Sequence, residues 1–268
     1  MTPFKNKRVW ITGASSGIGA AVAMAFAKAG AQLILSARNV AQLEAIQKQC
    51  EAAGAASATV VRLDIGNATE IFATAKDVLQ KFGKIDILVN NAGISQRSAA
   101  KDTLFEVDTH IINVNLLGTI ALSKAVLPSM LQHQSGHIAV ISSVTGKFGV
   151  QNRSAYSASK HGLHGYFDAL RNEVYDDNIQ ITLICPGFVR TNISINAVTA
   201  DGSPQGTMDT TTDGGLEATD VAHRILKAIE RKEDEVVIAG FKESFATWAK
   251  RYLPFSIFNK ILRRSKTQ

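Results

Sequence analysis

The sequence predicts one α/β domain, a doubly wound, mostly parallel seven-stranded sheet with helices on both faces. Three observations lead there. Short β-branched runs alternate with helical patterns of roughly 12 to 20 residues, the signature of βαβ units. Most of those runs are apolar throughout and not alternating, as strands covered on both faces should be. A length of 268 residues suits one buried core better than two. Composition agrees, with 46% hydrophobic and 19% charged residues and no low-complexity tract or internal repeat.

Residues 1–8 lack the apolar core of a signal peptide. The apolar stretch 9–37 is broken by glycines and Lys28, so it reads as strand, turn, helix and strand, not a membrane span. The first strand is 8–12. It runs straight into Thr12-Gly13-Ala14-Ser15-Ser16-Gly17-Ile18-Gly19 and an alanine-rich helix, 17–29. A glycine turn between a strand and a helix lets backbone approach a pyrophosphate while helix N–H groups point at the anion. The spacing is GxxxGxG, not GxGxxG, and no lysine follows the last glycine as a P-loop would need. The turn therefore points to dinucleotide binding on a Rossmann-type sheet.

The second strand, 32–36, decides which dinucleotide. It ends Ser36-Ala37-Arg38-Asn39, where NAD binders usually place an acid for the ribose 2′-hydroxyl. Arg38 instead offers a planar fork suited to a phosphate, so NADP(H) is the expected cofactor. A helix over 40–53 follows, then a third strand, 59–63. Asp64 after it has two readings, a ligand contact at a strand end or a turn cap. Asn67 and Glu70 form a start signal for the helix 68–82. The fourth strand, 85–89, delivers Asn90-Asn91-Ala92-Gly93 to the same edge of the sheet.

The long helix 102–133 contains Asn113, Asn115 and Gly118, all poor helix-interior residues, and this local conflict predicts a kink with a purpose. The fifth strand, 137–142, is followed by Ser143, with Ser142 as a competing hydroxyl. In the helix 154–175, Tyr156 and Lys160 stand one turn apart on one face. A cation favours phenolate, so Lys160 can lower the pKa of a phenol that is otherwise near 10. His161 and His164 lack a third ligand of suitable spacing, and no metal is expected. The sixth strand, 179–185, runs into Pro186-Gly187-Phe188-Val189-Arg190-Thr191. The patternless stretch 192–215 reads as a lid or binding loop. A helix over 219–231 and a strand over 235–238 complete the sheet.

These motifs in this order resemble the short-chain dehydrogenase/reductase family over nearly the whole chain. The resemblance rests on Gly13, Gly17, Ile18 and Gly19, Asn90 to Gly93, Asn115, Ser143, Tyr156-Ser157-Ala158-Ser159-Lys160, and Pro186-Gly187 with Thr191. It implies an NADPH-dependent oxidoreductase moving a hydride between nicotinamide and a carbonyl or alcohol carbon. Tyr156 is the implied acid, with Lys160 tuning it and holding the nicotinamide ribose. Ser143, favoured over Ser142 by the family's spacing, would bond the substrate oxygen, and Asn115 would support a water leading to the lysine. The implied cofactor set is Gly13, Ser15, Ser16, Gly17, Ile18, Gly19, Arg38, Asp64, Asn90, Ala92, Gly93, Tyr156, Lys160, Pro186, Gly187, Val189 and Thr191. Phe188, Ile193, Ile195 and Met208 suggest an apolar ketone or aldehyde. A homodimer or homotetramer is implied through helices 102–133 and 154–175, where Gly162 and Gly165 permit close approach. The alternative is a catalytically silent NADP(H)-binding sensor or scaffold.

The domain is expected to span 1–240, with the substrate loop at 188–215, followed by a basic amphipathic extension, 241–268. The formal charge of +6 gathers there: 249–268 holds Lys250, Arg251, Lys260, Arg263, Arg264 and Lys266 with no acid. The remainder is balanced, so nucleic acid is not expected as a partner. Phe241, Phe245, Trp248, Tyr252 and Phe255 make an apolar stripe interrupted at Pro254. It reads either as docking on the domain or a subunit, or as peripheral contact with anionic lipid. Two cysteines, Cys50 and Cys185, without metal-ligand spacing fit a reducing cytoplasm. The basic end is also similar to the member 7 and 7B branch of the dehydrogenase/reductase group.

Overall fold

A computed structural model describes residues 3–264. Seven strands form one parallel sheet, in the order β3-β2-β1-β4-β5-β6-β9. They are β1 (Arg8–Thr12), β2 (Gln32–Ala37), β3 (Ser57–Arg62), β4 (Ile87–Asn90), β5 (Gly136–Ile141), β6 (Ile179–Pro186) and β9 (Glu235–Ile238). Two further strands of two residues each, β7 (Val189–Arg190) and β8 (Leu216–Glu217), pair with one another apart from the sheet. The helices α1 (Gly17–Lys28), α2 (Val40–Ala52), α3 (Ala68–Phe82), α4 (Phe105–Ile112), α5 (Gly118–Gln132), α6 (Ser154–Glu173), α7 (Thr210–Asp213), α8 (Ala218–Glu230), α9 (Phe241–Tyr252) and α10 (Phe255–Arg264) surround it.

The uniformly apolar strands serve two cores at once, because successive side chains leave a strand on opposite faces. Val9, Ile11, Leu33, Leu35 and Val89 face α1, α2 and α8, packing on Val22, Phe26, Leu43 and Ile225. Trp10, Ile34, Leu88, Ile138 and Ile181 face α3, α5 and α6, packing on Ile71, Val78, Leu122, Val126 and Phe167. The Trp10 indole N–H donates to Ser36 Oγ at 2.9 Å, so its buried donor is satisfied. β3 begins two residues earlier than the sequence pattern indicates, because register with β2 pairs Gln32 with Ser57.

The predicted kink in the helix 102–133 is a π-helical turn, Asn113–Leu117, between α4 and α5. The whole stretch Phe105–Gln132 is apolar and long enough to cross a membrane by composition alone. In the fold, α5 packs against α3 and α4 against α6, and Leu122, Val126 and Met130 are fully buried. Gly162 faces inward, since a Cβ there would stand 2.7 Å from Leu116 Cδ2, whereas Gly165 leaves its face open.

The C-terminal extension docks on the domain through residues outside the stripe. α9 ends at Tyr252 and α10 begins at Phe255, on either side of Pro254. Ala249 and Phe258 are buried against Val144 and Phe148, with the two phenylalanine rings edge to face at 5.8 Å. Phe241, Phe245, Trp248 and Tyr252 stay exposed and stack in a ladder along α9. The side chains of Phe255, Arg263 and Arg264, and residues 265–268 with Lys266, lie outside the described residues.

One buried group gives the fold a signed pH dependence. His137 on β5 donates from Nε2 to Thr182 Oγ1 at 2.8 Å, because that hydroxyl donates its own proton to the Glu233 carbonyl at 2.6 Å. Burial, helped by Lys232, pushes the imidazole down from 6.5 to about 4. Below pH 6.5 the unfolded chain takes up a proton that the native state refuses until about pH 4, so stability falls as pH drops through that window. The full effect is about 3 kcal/mol. Urea unfolding of the wild type and of His137→Gln between pH 4 and 7 should give difference curves that converge as pH falls; parallel curves would contradict this assignment.

Candidate active site

The C-terminal ends of β1, β2, β3 and β4 surround a cleft of ≈ 470 Å³. It opens where the strand order reverses beside β1, the usual ligand position in such sheets. The chain leaves β1 through Gly13 and enters α1 at Gly17, both with left-handed φ, 63° and 56°. A Cβ on Gly19 would stand 2.2 Å from the Gly13 carbonyl oxygen, so α1 sits directly on the turn. Thr12 Oγ1 accepts the N–H groups of Asn91 (3.0 Å) and Ala92 (3.1 Å), and Asn91 Nδ2 donates to the carbonyls of Thr12 (3.0 Å) and Gly13 (3.2 Å). Together they lock the β1 and β4 ends into one wall. Ser16 caps α1 without a side-chain bond, leaving first-turn N–H groups for an anion.

Of the expected cofactor residues, Gly13, Ser15, Ser16, Gly17, Ile18, Arg38, Asp64, Ala92, Gly93 and Thr191 line the cleft. Arg38 is exposed there, and no described residue pairs with its guanidinium. Asp64 fits both of its readings, lining the cleft while Oδ1 accepts the Gly66 N–H at 2.9 Å. Asn90 departs from expectation. Its side chain turns away from the cleft and donates to Ser123 Oγ at 2.9 Å, and the neighbour Asn91 lines the wall instead. Gly19 lies behind the turn. Pro186, Gly187 and Val189 also stand off the cleft wall: Pro186 accepts from the Ser143 hydroxyl at 3.5 Å, and the Gly187 N–H bonds the Ile238 carbonyl at 2.9 Å.

Ser143, Tyr156, Lys160 and Asn115 gather beside the far end of this cleft, all buried. Ile94 belongs to both places, lining the cleft and packing against the apolar cluster that includes Tyr156. Asn115, in the π-helical turn, accepts the Ile94 N–H on Oδ1 (2.8 Å) and donates from Nδ2 to the Ile94 carbonyl (2.9 Å) and Ser159 Oγ (3.2 Å). A Cβ on Gly93 would stand 3.0 Å from Asn115 Oδ1 and 3.7 Å from Lys160 Nζ, which puts the cleft wall against both side chains. Ser142 bonds the Lys160 carbonyl (3.3 Å) and His164 Nε2 (3.0 Å), leaving Ser143 as the hydroxyl beside the tyrosine.

The charges around the phenol extend beyond Lys160. Burial pushes the Tyr156 hydroxyl above its ordinary 10.0, and a hydrogen bond to Ser143 and the guanidiniums of Arg153 and Arg97 pull it back. Lys160 Nζ lies 5.7 Å from the centre of the Tyr156 ring, but it donates to the Ile141 carbonyl at 2.8 Å. Burial brings the ammonium itself down to about 8. Sequence spacing identifies the near cation along the helix but not the two arginines that arrive from loops.

The loop expected as a lid runs beside Tyr156. Val198 packs against the cluster of Val107, Ile111, Ala155 and Tyr156, its N–H donates to the Ser95 carbonyl (2.9 Å), and its carbonyl accepts the Arg97 backbone N–H (2.8 Å). Asp209, at the end of the lid, is clasped by Arg97 through Nε (2.7 Å) and Nη2 and faces Arg153 Nη2 at 3.7 Å. The sequence names Asn91 only within its motif and passes over Arg97, Arg153 and Asp209. Arg153 alone left a signal, standing one helical turn before Tyr156.

His164, Cys185 and Glu235 bring ligand atoms within 4.8 Å of one another. Lys147 already occupies that cluster, with Nζ 3.2 Å from His164 Nδ1 and paired with Glu235. Burial pushes the Cys185 thiol up to about 12, so it is not an activated nucleophile.

The short chain dehydrogenase family model matches residues 7–201. The chain is 41% identical over 269 residues to Dehydrogenase/reductase SDR family member 7B of Mus musculus, covering 98% of this chain and 83% of that protein. It is 44% identical over 263 residues to Dehydrogenase/reductase SDR family protein 7-like of Anopheles gambiae, covering 97% and 83%. Among solved structures, a short chain dehydrogenase/reductase from Burkholderia phymatum in complex with NAD superposes with a TM-score of 0.79 at 28% identity, covering 88% of this chain and 90% of that one. A metagenomic short-chain oxidoreductase in complex with NADP gives 0.73 at 30% identity, covering 88% and 97%.

Proposed function

Because the chain belongs to the short-chain dehydrogenase/reductase family of oxidoreductases, we propose that it reduces a ketone or aldehyde with NADPH. The observation that carries the cofactor choice is Arg38, a cation without a partner among the described residues on the cleft wall at the end of β2. One solved relative is in complex with NAD and another with NADP, so the family accommodates either nucleotide. A guanidinium suits a 2′-phosphate, and no carboxylate follows β2 to accept a 2′-hydroxyl.

The cleft fits a dinucleotide: a glycine turn that a side chain would fill, free helix N–H groups for the pyrophosphate, and Thr191 for the carboxamide. When bound, the nicotinamide supplies the hydride. The protein's part is to hold and protonate. Ser143 fixes the carbonyl oxygen, and Tyr156, protonated at neutral pH, gives that oxygen its proton. Lys160 holds the ribose and favours the phenolate that remains, and Asn115 fixes the cleft wall around it.

A panel of ketones and aldehydes followed by NADPH absorbance tests the reaction. The wild type should favour NADPH over NADH by about 100-fold in kcat/KM, and Arg38→Asp should remove that preference. Equal use of both nucleotides by the wild type would refute the assignment of Arg38.

A further inference from the structure

The charges beside Tyr156 do not balance. Arg97 and Arg153 come together under the lid with one carboxylate, Asp209, between them. Arg97 is satisfied: it clasps Asp209 from two nitrogens and also donates to Ser95 Oγ (2.8 Å) and the Gln96 carbonyl (2.7 Å). Asp209 is satisfied too, its Oδ1 accepting from Gln205 Nε2 at 2.7 Å. Arg153 is not. It is 9% exposed, its guanidinium lies over the Phe188 ring at 5.5 Å, and among the described residues no acceptor hydrogen-bonds its donors. Its nearest carboxylate oxygen is the 3.7 Å contact that Arg97 already holds.

The Arg153 nitrogens keep some contact with solvent, and a ligand that displaced that water would have to supply acceptors in its place. Clamping the lid needs only Arg97. The second arginine adds one positive charge to a pocket that already holds the proton donor, and it acts electrostatically on that phenol. Its neighbours are the substrate-side elements of the reaction proposed above: Phe188 after β6, Ser98 through a backbone bridge, and Asp209 of the lid. We propose that Arg153 receives an oxyanion carried by the carbonyl substrate, a carboxylate or a phosphate monoester, with Asp209 remaining on Arg97. With a carboxylate, two guanidiniums would face two anions and the pocket would be neutral; a phosphate monoester, close to a dianion at neutral pH, would leave it negative. The planar fork of arginine suits both oxyanions. Phe188 and Val198 would hold the apolar part of the same molecule.

This inference rests on the carbonyl-reductase reading, and the test separates the two. The probes are matched pairs: 4-oxo carboxylic acids against their methyl esters, and a hydroxyketone phosphate against the parent hydroxyketone. The readout is the ratio of kcat/KM, charged over neutral, with NADPH. In the wild type that ratio should be about 10 to 100, from one or two charge-assisted bonds. The acid pair and the phosphate pair show which oxyanion is preferred. Arg153→Met should bring the ratio to one or below, mainly through KM, and Arg153→Lys should restore part of it. Asp209→Asn, which leaves a second guanidinium without its carboxylate, should raise the ratio and does not depend on Arg153→Met folding. A wild type that reduces the neutral members as well as the charged ones, or ratios unmoved in Arg153→Met and Asp209→Asn, overturns the inference alone. Failure to reduce either member of any pair, or any neutral ketone, overturns the reaction itself and this inference with it.

Discussion

Tyr156→Phe should lower kcat by about 1000-fold or more, the range a positioned general acid supplies. The variant isolates chemistry from structure. Tyr156 belongs to an apolar cluster with Val107, Ile111 and Ala155, which phenylalanine would also fill. The Ser143 hydroxyl that loses its phenol partner still has the Pro186 carbonyl and the Thr145 N–H. NADPH binding, followed by quenching of protein fluorescence, should therefore survive while turnover does not. The wild type should also show a signed pH profile. Burial raises the phenol above 10.0, so the proton needed for reduction is present through neutral pH and is lost only as pH rises past that value. Alcohol oxidation needs the deprotonated form and should gain over the same range. A reduction rate that survives in Tyr156→Phe would remove this residue from the mechanism.

Much of the frame was legible because its signals are local. The alternation of apolar runs with helical patterns follows directly from strands that feed two cores, as Trp10 and Ile11 do on adjacent positions of β1. Asn113, Asn115 and Gly118 conflict with an ordinary helix, and the chain answers with a π-helical turn that carries Asn115 to Ile94. What sequence could not supply depends on register or on distance along the chain. In Asn90-Asn91 a shift of one residue exchanges the two faces of the sheet. Asn90 goes to Ser123 and Asn91 to the glycine turn, and nothing in two identical neighbours says which. Arg97 and Asp209 lie 112 residues apart, on loops without periodicity. Only the fold of the 192–215 loop brings Asp209 to Arg97 and Arg153, so these positive surroundings of the phenol were invisible.

Gly19→Ala should be strongly disruptive, costing about 3 kcal/mol of stability and lowering NADPH affinity by roughly 100-fold. The added methyl would stand 2.2 Å from the Gly13 carbonyl oxygen and 2.5 Å from Asn91 Nδ2. Neither can yield cheaply. The Gly13 carbonyl accepts from Asn91 Nδ2, which also bonds the Thr12 carbonyl, while Thr12 Oγ1 holds the N–H groups of Asn91 and Ala92. Relief must come from moving α1, whose Val22 and Phe26 are fully buried against the sheet. Either movement takes the first-turn N–H groups away from the position that an anion would use. Gly149→Ala provides the contrast, since a Cβ there meets nothing within 4 Å and the change should stay within about 0.5 kcal/mol. Urea unfolding and NADPH titration of both variants decide the matter. If Gly19→Ala matches Gly149→Ala in both measurements, the turn can yield and is not the fixed anion cradle described here.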